Sequence, residues 1–418
     1  MKQKIPLSDS QWSVQLEQAV SLIRSGQTFL FSGDIDKDSL GTMISLALYL
    51  KQLQKKVYII IPIPLAGHLD YLEKIIAYNL IPILKTQEDL EKVSDEIDSV
   101  IFCDTANAKL VPYFSQIANT IEKHKLAVLE IDHHFGTDSE ELIAGEVKLL
   151  RKCNATTELS AELLTRLFEE ISGAPHPFHQ HNIVISLLTG LFGDTVGGSV
   201  IPFRDRYDYW VQYLDKFLHR DRDQHSISEN FSPGEKVLNF RSADDILNYL
   251  NRLTDEQELC LEVLRKRIKI TTTGLGFINL LNSIHPEIQE VCQPFDSPWF
   301  ADFLAILLNI IPEEGGKVGV VCFHGKNADK ENCMFIKVRR AAEYADIDLR
   351  NLEVEIKNKF GNLYMGGGGH PGAVSFRVHA HEEVKFLSVL EGIISFLEQE
   401  INDLKAKPLT KDPVSPSS

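Results

Sequence analysis

The first half of the chain alternates short apolar runs with amphipathic stretches. Residues 28–33, 56–61, 98–103 and 126–131 are dominated by Val, Ile, Leu and Phe, the pattern of strands buried on both faces. Between and after them, 39–53, 69–78, 114–124, 156–170 and 181–192 place apolar residues at helical spacing. Nearer the start, Trp12, Leu16, Ala19, Val20 and Ile23 fall on one face of a helix over 9–25, with Ser8 or Asp9 as its cap. Strands alternating with helices predict an α/β fold: a doubly wound, mostly parallel sheet with helices on both faces.

The pattern changes after residue 200. Residues 204–235 are crowded with charge and aromatic rings, as in Arg204-Asp205-Arg206-Tyr207-Asp208-Tyr209-Trp210. A packing helix explains that segment more simply than a base-stacking surface. Residues 242–268 read as a helical linker. A smaller mixed α/β domain comes next, with strands near 273–280, 317–323, 333–338 and 373–378 and helices near 298–310, 349–359 and 381–403. The expected organisation is a first domain over 1–200, a charged helical linker insert over 201–270, a second domain over 271–403, and a disordered tail over 404–418, rich in Lys, Pro and Ser.

Composition narrows the function classes. A chain of 418 residues can bury two or three cores, and 44% hydrophobic with 24% charged residues is ordinary globular composition. No apolar run is long enough to span a membrane, and no apolar leader segment comes after Met1. Six scattered cysteines without a Cys-x-x-Cys pair fit a reducing cytoplasm, with Cys103 and Cys322 as small core residues. A net charge of −16 argues against coating long nucleic acid, which depends on many summed phosphate contacts. It is compatible with a small phosphorylated substrate.

The candidate chemistry gathers where apolar segments end. Residues 28–33 lead into Asp34-Ile35-Asp36-Lys37-Asp38, 99–103 into Asp104-Thr105, 126–131 into Asp132-His133-His134, and 183–192 into Gly193-Asp194-Thr195. That edge is where doubly wound sheets build ligand sites. Carboxylate oxygens with imidazole nitrogens suit hard or borderline divalent ions, manganese among them. Two such ions about 4 Å apart need a shared carboxylate and several terminal ligands, and these clusters contain enough. In the second domain, Gly366-Gly367-Gly368-Gly369 before His370 predicts a turn without Cβ atoms, whose N–H groups can approach a phosphate or a base. A strand through 335–340 delivers Arg339, a planar partner for a terminal phosphate. His176-Pro177-Phe178-His179-Gln180-His181 reads as a loop entering a helix rather than as a metal cluster.

In this order the motifs resemble the DHH phosphoesterase superfamily, which includes RecJ-type exonucleases, nanoRNase/pAp phosphatases, cyclic-dinucleotide phosphodiesterases and manganese pyrophosphatases. Asp36-x-Asp38 with Gly41-Thr42 is similar to the first motif, Asp104-Thr105 to the second, Asp132-His133-His134 to the third, and Gly193-Asp194-Thr195 to the fourth. Ala155-Thr156-Thr157-Glu158 resembles the Ser/Thr-rich turn after the DHH strand. Val338-Arg339 and Gly367-Gly368-Gly369-His370 resemble the arginine strand and GGGH loop of the associated C-terminal domain. The resemblance covers residues 25–200 and 310–380.

The resemblance implies two divalent metal ions, Mn2+ first, with Mg2+ or Co2+ as alternatives. Asp104 would bridge them, Asp36 with Asp34 would hold one, and Asp38, His133 and Asp194 the other. His134 would act on the substrate side, making His134 and Asp104 the catalytic pair. Arg339, Gly367, Gly368, Gly369 and His370 would grip the far end of the substrate. The implied substrates are short RNA or DNA oligonucleotides or small phosphorylated nucleotides such as pAp, with cyclic or linear dinucleotides as the alternative. A homodimer is implied by the same analogy. One departure stands out. The family's first motif opens with a His four residues before its first Asp and has a Pro just before that Asp, where this chain has Ser32 and Ile35. Asp34, two residues away, would replace the imidazole as an oxygen ligand, or water would fill the gap; otherwise the metal site is weak and the chain is a nucleotide-binding regulator with weakened catalysis.

Overall fold

A computed structural model describes the chain except for residues 1–2, 66, 136–138, 145–146, 196–197, 199–200, 220–239, 254, 281–306, 309, 312–315, 327–331, 342–343, 345, 380–389, 400–401 and 403–418. It divides into two compact units, Met1–Arg252 and Leu253–Ser418.

In the first unit the apolar runs become β1 (Thr28–Gly33), β2 (Lys56–Ile60), β4 (Ser99–Cys103) and β5 (Ala127–Asp132), joined by two short strands, β3 (Ile83–Leu84) and β6 (Val147–Leu150). They form one sheet in the order β3-β2-β1-β4-β5-β6 with every pair parallel. The chain winds outward from β1 to β2 and β3, then returns to place β4 on the other side of β1. The strand order therefore reverses between β1 and β4, which opens a crevice at their C-terminal ends.

Side-chain alternation along the strands feeds two cores. Phe29 and Phe31 of β1, Ile101 of β4 and Leu129 of β5 face the larger one, shared with α1 (Asp9–Ser25), α2 (Lys37–Gln52), α3 (Asp70–Tyr78), α6 (Thr156–Glu170) and α7 (His181–Asp194). Leu30, Val100, Phe102 and Val128 face the smaller one, covered by α4 (Gln87–Val93) and α5 (Phe114–His124). Burial on both faces is why these strands lack polar alternation.

The segment expected as a linker over 201–270 is divided between the units. In α8 (Arg204–Leu218), Tyr207, Trp210, Leu214 and Leu218 make a stripe that joins the larger core, as do Ile246 and Leu250 of α9 (Ala243–Leu250). The charge density of 204–210 hides that stripe, because the polar residues occupy the other faces of the helix. From this segment, α10 (Asp255–Arg265) and the residues after it belong to the second unit.

The second unit holds β7 (Lys269–Ile270), β8 (Leu275–Asn279), β9 (Val318–Lys326), β10 (Asn332–Arg340), β11 (Tyr364–His370) and β12 (Ala373–His379), in the order β11-β12-β10-β9-β8-β7. Among these described strands, β8 and β9 alone pair in parallel. Ile356 and Phe360 of α11 (Leu352–Phe360) pack on Val320, Ile336, Val338 and Phe376. The helix expected over 298–310 lies largely outside the described residues. Of the one over 381–403, residues 390–399 are helical, and the tail lies outside the described residues.

The glycine run is not a turn. Gly366 to His370 extend as β11 on β12, and the chain reverses at Pro371-Gly372. A Cβ on Gly367 would lie 2.5 Å from the Ser375 carbonyl oxygen and one on Gly369 2.2 Å from that of Ala373, so close strand pairing requires glycine here. Cys103, Cys153, Cys322 and Cys333 are free and buried, whereas Cys260 is disulfide-bonded. No described helix is long and apolar enough to cross a membrane.

Candidate metal centre

Three strands end at the crevice, and each end is shaped locally. After β1, Asp36 caps α2, its Oδ1 accepting the Ser39 N–H at 2.9 Å, and this sets Asp38 in the first turn of the helix. After β4, Asp104 takes a left-handed conformation (φ +48°), which Asp tolerates better than most residues, while its N–H donates to the Ile131 carbonyl of β5 at 2.8 Å. After β5, Oδ1 of Asp132 accepts the N–H of His133 at 2.8 Å and of His134 at 3.2 Å, and meets the His134 ring Nδ1 at 2.8 Å. Asp194 is the last residue of α7.

These ends converge. The His133 Nε2 lies 2.9 Å from Oδ2 of Asp194, 3.5 Å from Oδ1 of Asp104 and 3.9 Å from Oδ2 of Asp38. The His134 Nδ1 lies 3.6 Å from Oδ1 of Asp104. Among the described residues, two groups of three potential ligand atoms each fit within 4.8 Å: Asp38, His133 and Asp194; and Asp104, His133 and His134. Asp34 and Asp36 stand outside both groups yet share their field. Repulsion from Asp34 leads the charge effects on Asp36, and His134 acts on Asp34.

Charge and burial show what the cluster lacks. Desolvation of the carboxyl, then repulsion from Asp34, Asp194 and Asp38, pushes Asp36 up to about 8, although the residue as a whole is exposed and water there screens the charge. Burial, then Asp194, pushes Asp38 up to about 6, against the pull of His133. Asp104 is raised well above the ordinary carboxylate range, first by burial and then by Asp38 and Asp36. His133 goes up despite burial, because Asp194 outweighs it. Oδ2 of Asp104 is buried and has no hydrogen-bond partner. A cluster of oxygens and imidazole nitrogens, with surplus negative charge and a partnerless buried oxygen, fits divalent cations.

Three hydrogen bonds from one turn hold the carboxylates of Asp38 and Asp104. Asp38 accepts the backbone N–H groups of Thr156 and Thr157, the latter at 3.0 Å, and so caps α6, whose own cap position is Ala155. Thr156 Oγ1 donates to Oδ1 of Asp104 at 2.7 Å, leaving Oδ2 as the other oxygen. Behind this turn, buried Glu158 accepts from Arg206 Nε at 2.7 Å and ties α8 to α6.

Some residues of the site carry no motif. Lys4, 2% exposed, places Nζ 2.6 Å from Oε1 of Glu130 and 2.5 Å from Oδ2 of Asp132. Burial opposes its charge, but the two carboxylates outweigh that and raise Lys4; despite burial, His134 and then Lys4 hold Asp132 well below the usual range. Glu130 was the visible signal: a charge inside an apolar strand demands a partner. Nothing in the sequence pointed to Lys4.

The remaining expected residues lie in the second unit. Arg339 sits on β10 opposite Ala373 of β12, and burial pulls its guanidinium down to about 10. Gly367, Gly368, Gly369 and His370 belong to the edge strand β11. Ser32, at the family's His position, is fully buried and its Oγ has no partner. In the 176–181 segment the rings of His176 and His179 stack at 4.6 Å and the His181 Nε2 meets the Phe240 carbonyl at 2.9 Å, consistent with packing.

Residues 28–190 match the family model described as DHH family, N-terminal domain. No curated protein matches the sequence. Among solved structures, an exopolyphosphatase-related protein from Bacteroides fragilis is similar with a TM-score of 0.64 at 15% identity, covering 93% of this chain and 98% of that one. The DHH domain of a protein placed in a family of ribosomal proteins is similar with a TM-score of 0.52 at 15% identity, covering 94% and 93%. RecJ from Thermus thermophilus in complex with Mn2+ gives a TM-score of 0.49 at 14% identity, covering 96% of this chain and 56% of that one.

Proposed function

Because residues 28–190 form a DHH-family N-terminal domain, we propose that the protein is a metal-dependent phosphoesterase that hydrolyses short oligonucleotides or small phosphorylated nucleotides. The observation that carries this reading is the buried, partnerless Oδ2 of Asp104 beside two groups of potential ligands that share His133. Asp38, His133 and Asp194 would hold one ion, Asp36 with Asp34 would hold the other, and Asp104 would be shared between them.

When bound, two divalent ions, Mn2+ or alternatively Mg2+ or Co2+, supply charge stabilisation at the phosphoryl oxygens and acidify the attacking water. The chain's own residues do the rest. Asp132 engages Nδ1 of His134 and so fixes the ring, directing its Nε2 edge to a phosphoryl oxygen. Asp132 also raises the His134 pKa against burial, which favours the imidazolium as donor to developing negative charge. In the second unit, Arg339, Gly367, Gly368, Gly369 and His370 are the proposed phosphate-binding residues. A net charge of −16 favours a short substrate over a long one.

A second reading rests on Ser32: a nucleotide-binding regulator with weakened catalysis. One experiment separates them. The full chain with Mn2+ is incubated with pApA, a five-residue RNA, pAp and cyclic di-AMP, and products are resolved by chromatography beside an Asp104→Asn control. The hydrolase reading expects mononucleotide from pApA and the RNA, reduced about 100-fold or more in the control. Nucleotide binding by folded protein without product from any substrate would instead establish the regulator.

A further inference from the structure

We propose that Lys4 is a positioning residue for this site: its ammonium locks the Asp132 carboxylate that fixes the His134 ring. The inference rests on the phosphoesterase reading only for its kinetic consequence. An ammonium has three protons to donate. Lys4 Nζ meets three acceptors: Oε1 of Glu130 at 2.6 Å, Oδ2 of Asp132 at 2.5 Å and the Thr105 carbonyl at 2.5 Å. Thr105 comes directly after Asp104, and Asp132 directly precedes His133. One side chain therefore ties together the turns after β4 and β5, the two that deliver Asp104 and the histidine pair.

The carboxylate of Asp132 is divided between two tasks. Oδ2 is taken by Lys4, while Oδ1 meets the backbone N–H of His133, the backbone N–H of His134 and the His134 ring. The segment carrying Lys4 is itself anchored. The Lys4 N–H donates to the Ser139 carbonyl at 3.2 Å, Gln3 bridges Glu140, and the Leu7 N–H donates to the Leu150 carbonyl at 2.9 Å. Without Lys4, Glu130 and Asp132 are two carboxylates on the same face of one buried strand, and Asp132 has no cation behind it. A lysine serving stability alone would be replaceable by apolar groups once its partner charge is also removed, whereas a positioning lysine would not.

That difference sets the test. Full-length Lys4→Met, Glu130→Met and the double variant are compared with wild type by thermal unfolding, by pApA hydrolysis with Mn2+, and by long-range 1H–15N spectra of the histidine rings. Lys4→Met is expected to lower Tm and to lower kcat about tenfold or more. The double variant, relieved of one buried charge, is expected to regain most of the Tm while kcat stays down about tenfold with KM within about twofold. Its His134 ring signals should depart from wild type, and Glu130→Met alone should keep them. Recovery of both Tm and kcat in the double variant, with unchanged ring signals, would overturn the proposal. A wild type inert to pApA would count against the hydrolase reading, and the ring spectra would still decide the role of Lys4.

Discussion

The two oxygens of Asp104 do different work, and so do the two of Asp132. Each residue gives one oxygen to a protein donor that fixes the carboxylate, and the other meets a cation: Lys4 for Asp132, and on our reading the metal for Asp104. Asn is the cleaner replacement at position 104, because it tolerates the left-handed backbone (φ +48°) that Ala would hold at a cost of roughly 1 kcal/mol. Ser32 invites the opposite prediction. Its hydroxyl is buried and makes no hydrogen bond, so Ser32→Ala should leave pApA turnover within about twofold and stability equal or slightly higher, since removing an unsatisfied buried hydroxyl costs nothing. A tenfold loss of turnover would show that Ser32 takes part in the site after all. The acidic residues that converge at the crevice were legible in sequence because each ends an apolar segment. Lys4 was not, because its partners Glu130 and Asp132 are more than a hundred positions along the chain, and only the fold brings them together.

At the level of elements, Asp38 belongs to α2 yet caps α6, and α2 crosses α7 at two glycines. A Cβ on Gly41 would stand 2.4 Å from the Ser186 carbonyl oxygen, and one on Gly190 2.4 Å from Thr157 Cγ2 and 2.9 Å from Oδ1 of Asp38. Gly190→Ala should therefore destabilise by about 1–3 kcal/mol through overpacking and weaken Mn2+ binding, since α2 and α7 carry Asp38 and Asp194. Chemical denaturation with metal titration checks both, and unchanged metal affinity at reduced stability would separate the crossing from the site. The helices Phe114–His124 and Thr156–Glu170 were readable in the sequence because amphipathic spacing defines them. The edge strand β11 was not: a glycine run signals freedom, whereas here it answers the close approach of β12. The short strands β3 and β6 carry too few residues for any period to show.

For the whole molecule, the surplus charge of the site sets a pH response. Asp36 and Asp38 titrate near 8 and 6 in the folded chain against 3.8 for the free group. The metal-free folded state thus holds more protons than the unfolded one between about pH 4 and pH 8, and these groups lower stability as pH rises through that window. A divalent ion competes with those protons, so the Tm difference between Mn2+-loaded and metal-free protein should widen from about pH 5 to about pH 8. A difference that narrows instead would exclude this cluster as the metal centre.

The long reach of Lys4 also has a consequence in time. During synthesis Lys4 emerges before the strand that buries it, and at typical elongation rates the interval is on the order of ten seconds. The ammonium waits in water until β5 exists, because neither Glu130 nor Asp132 is there to receive it. The clasp between the turns after β4 and β5 should then be among the last contacts to form, with a φ-value near zero for Lys4→Met. Refolding would be nearly unchanged in rate and unfolding faster. The sheet would assemble first, and the edge that carries the candidate ligands would be tightened afterwards by a residue translated before any of its strands.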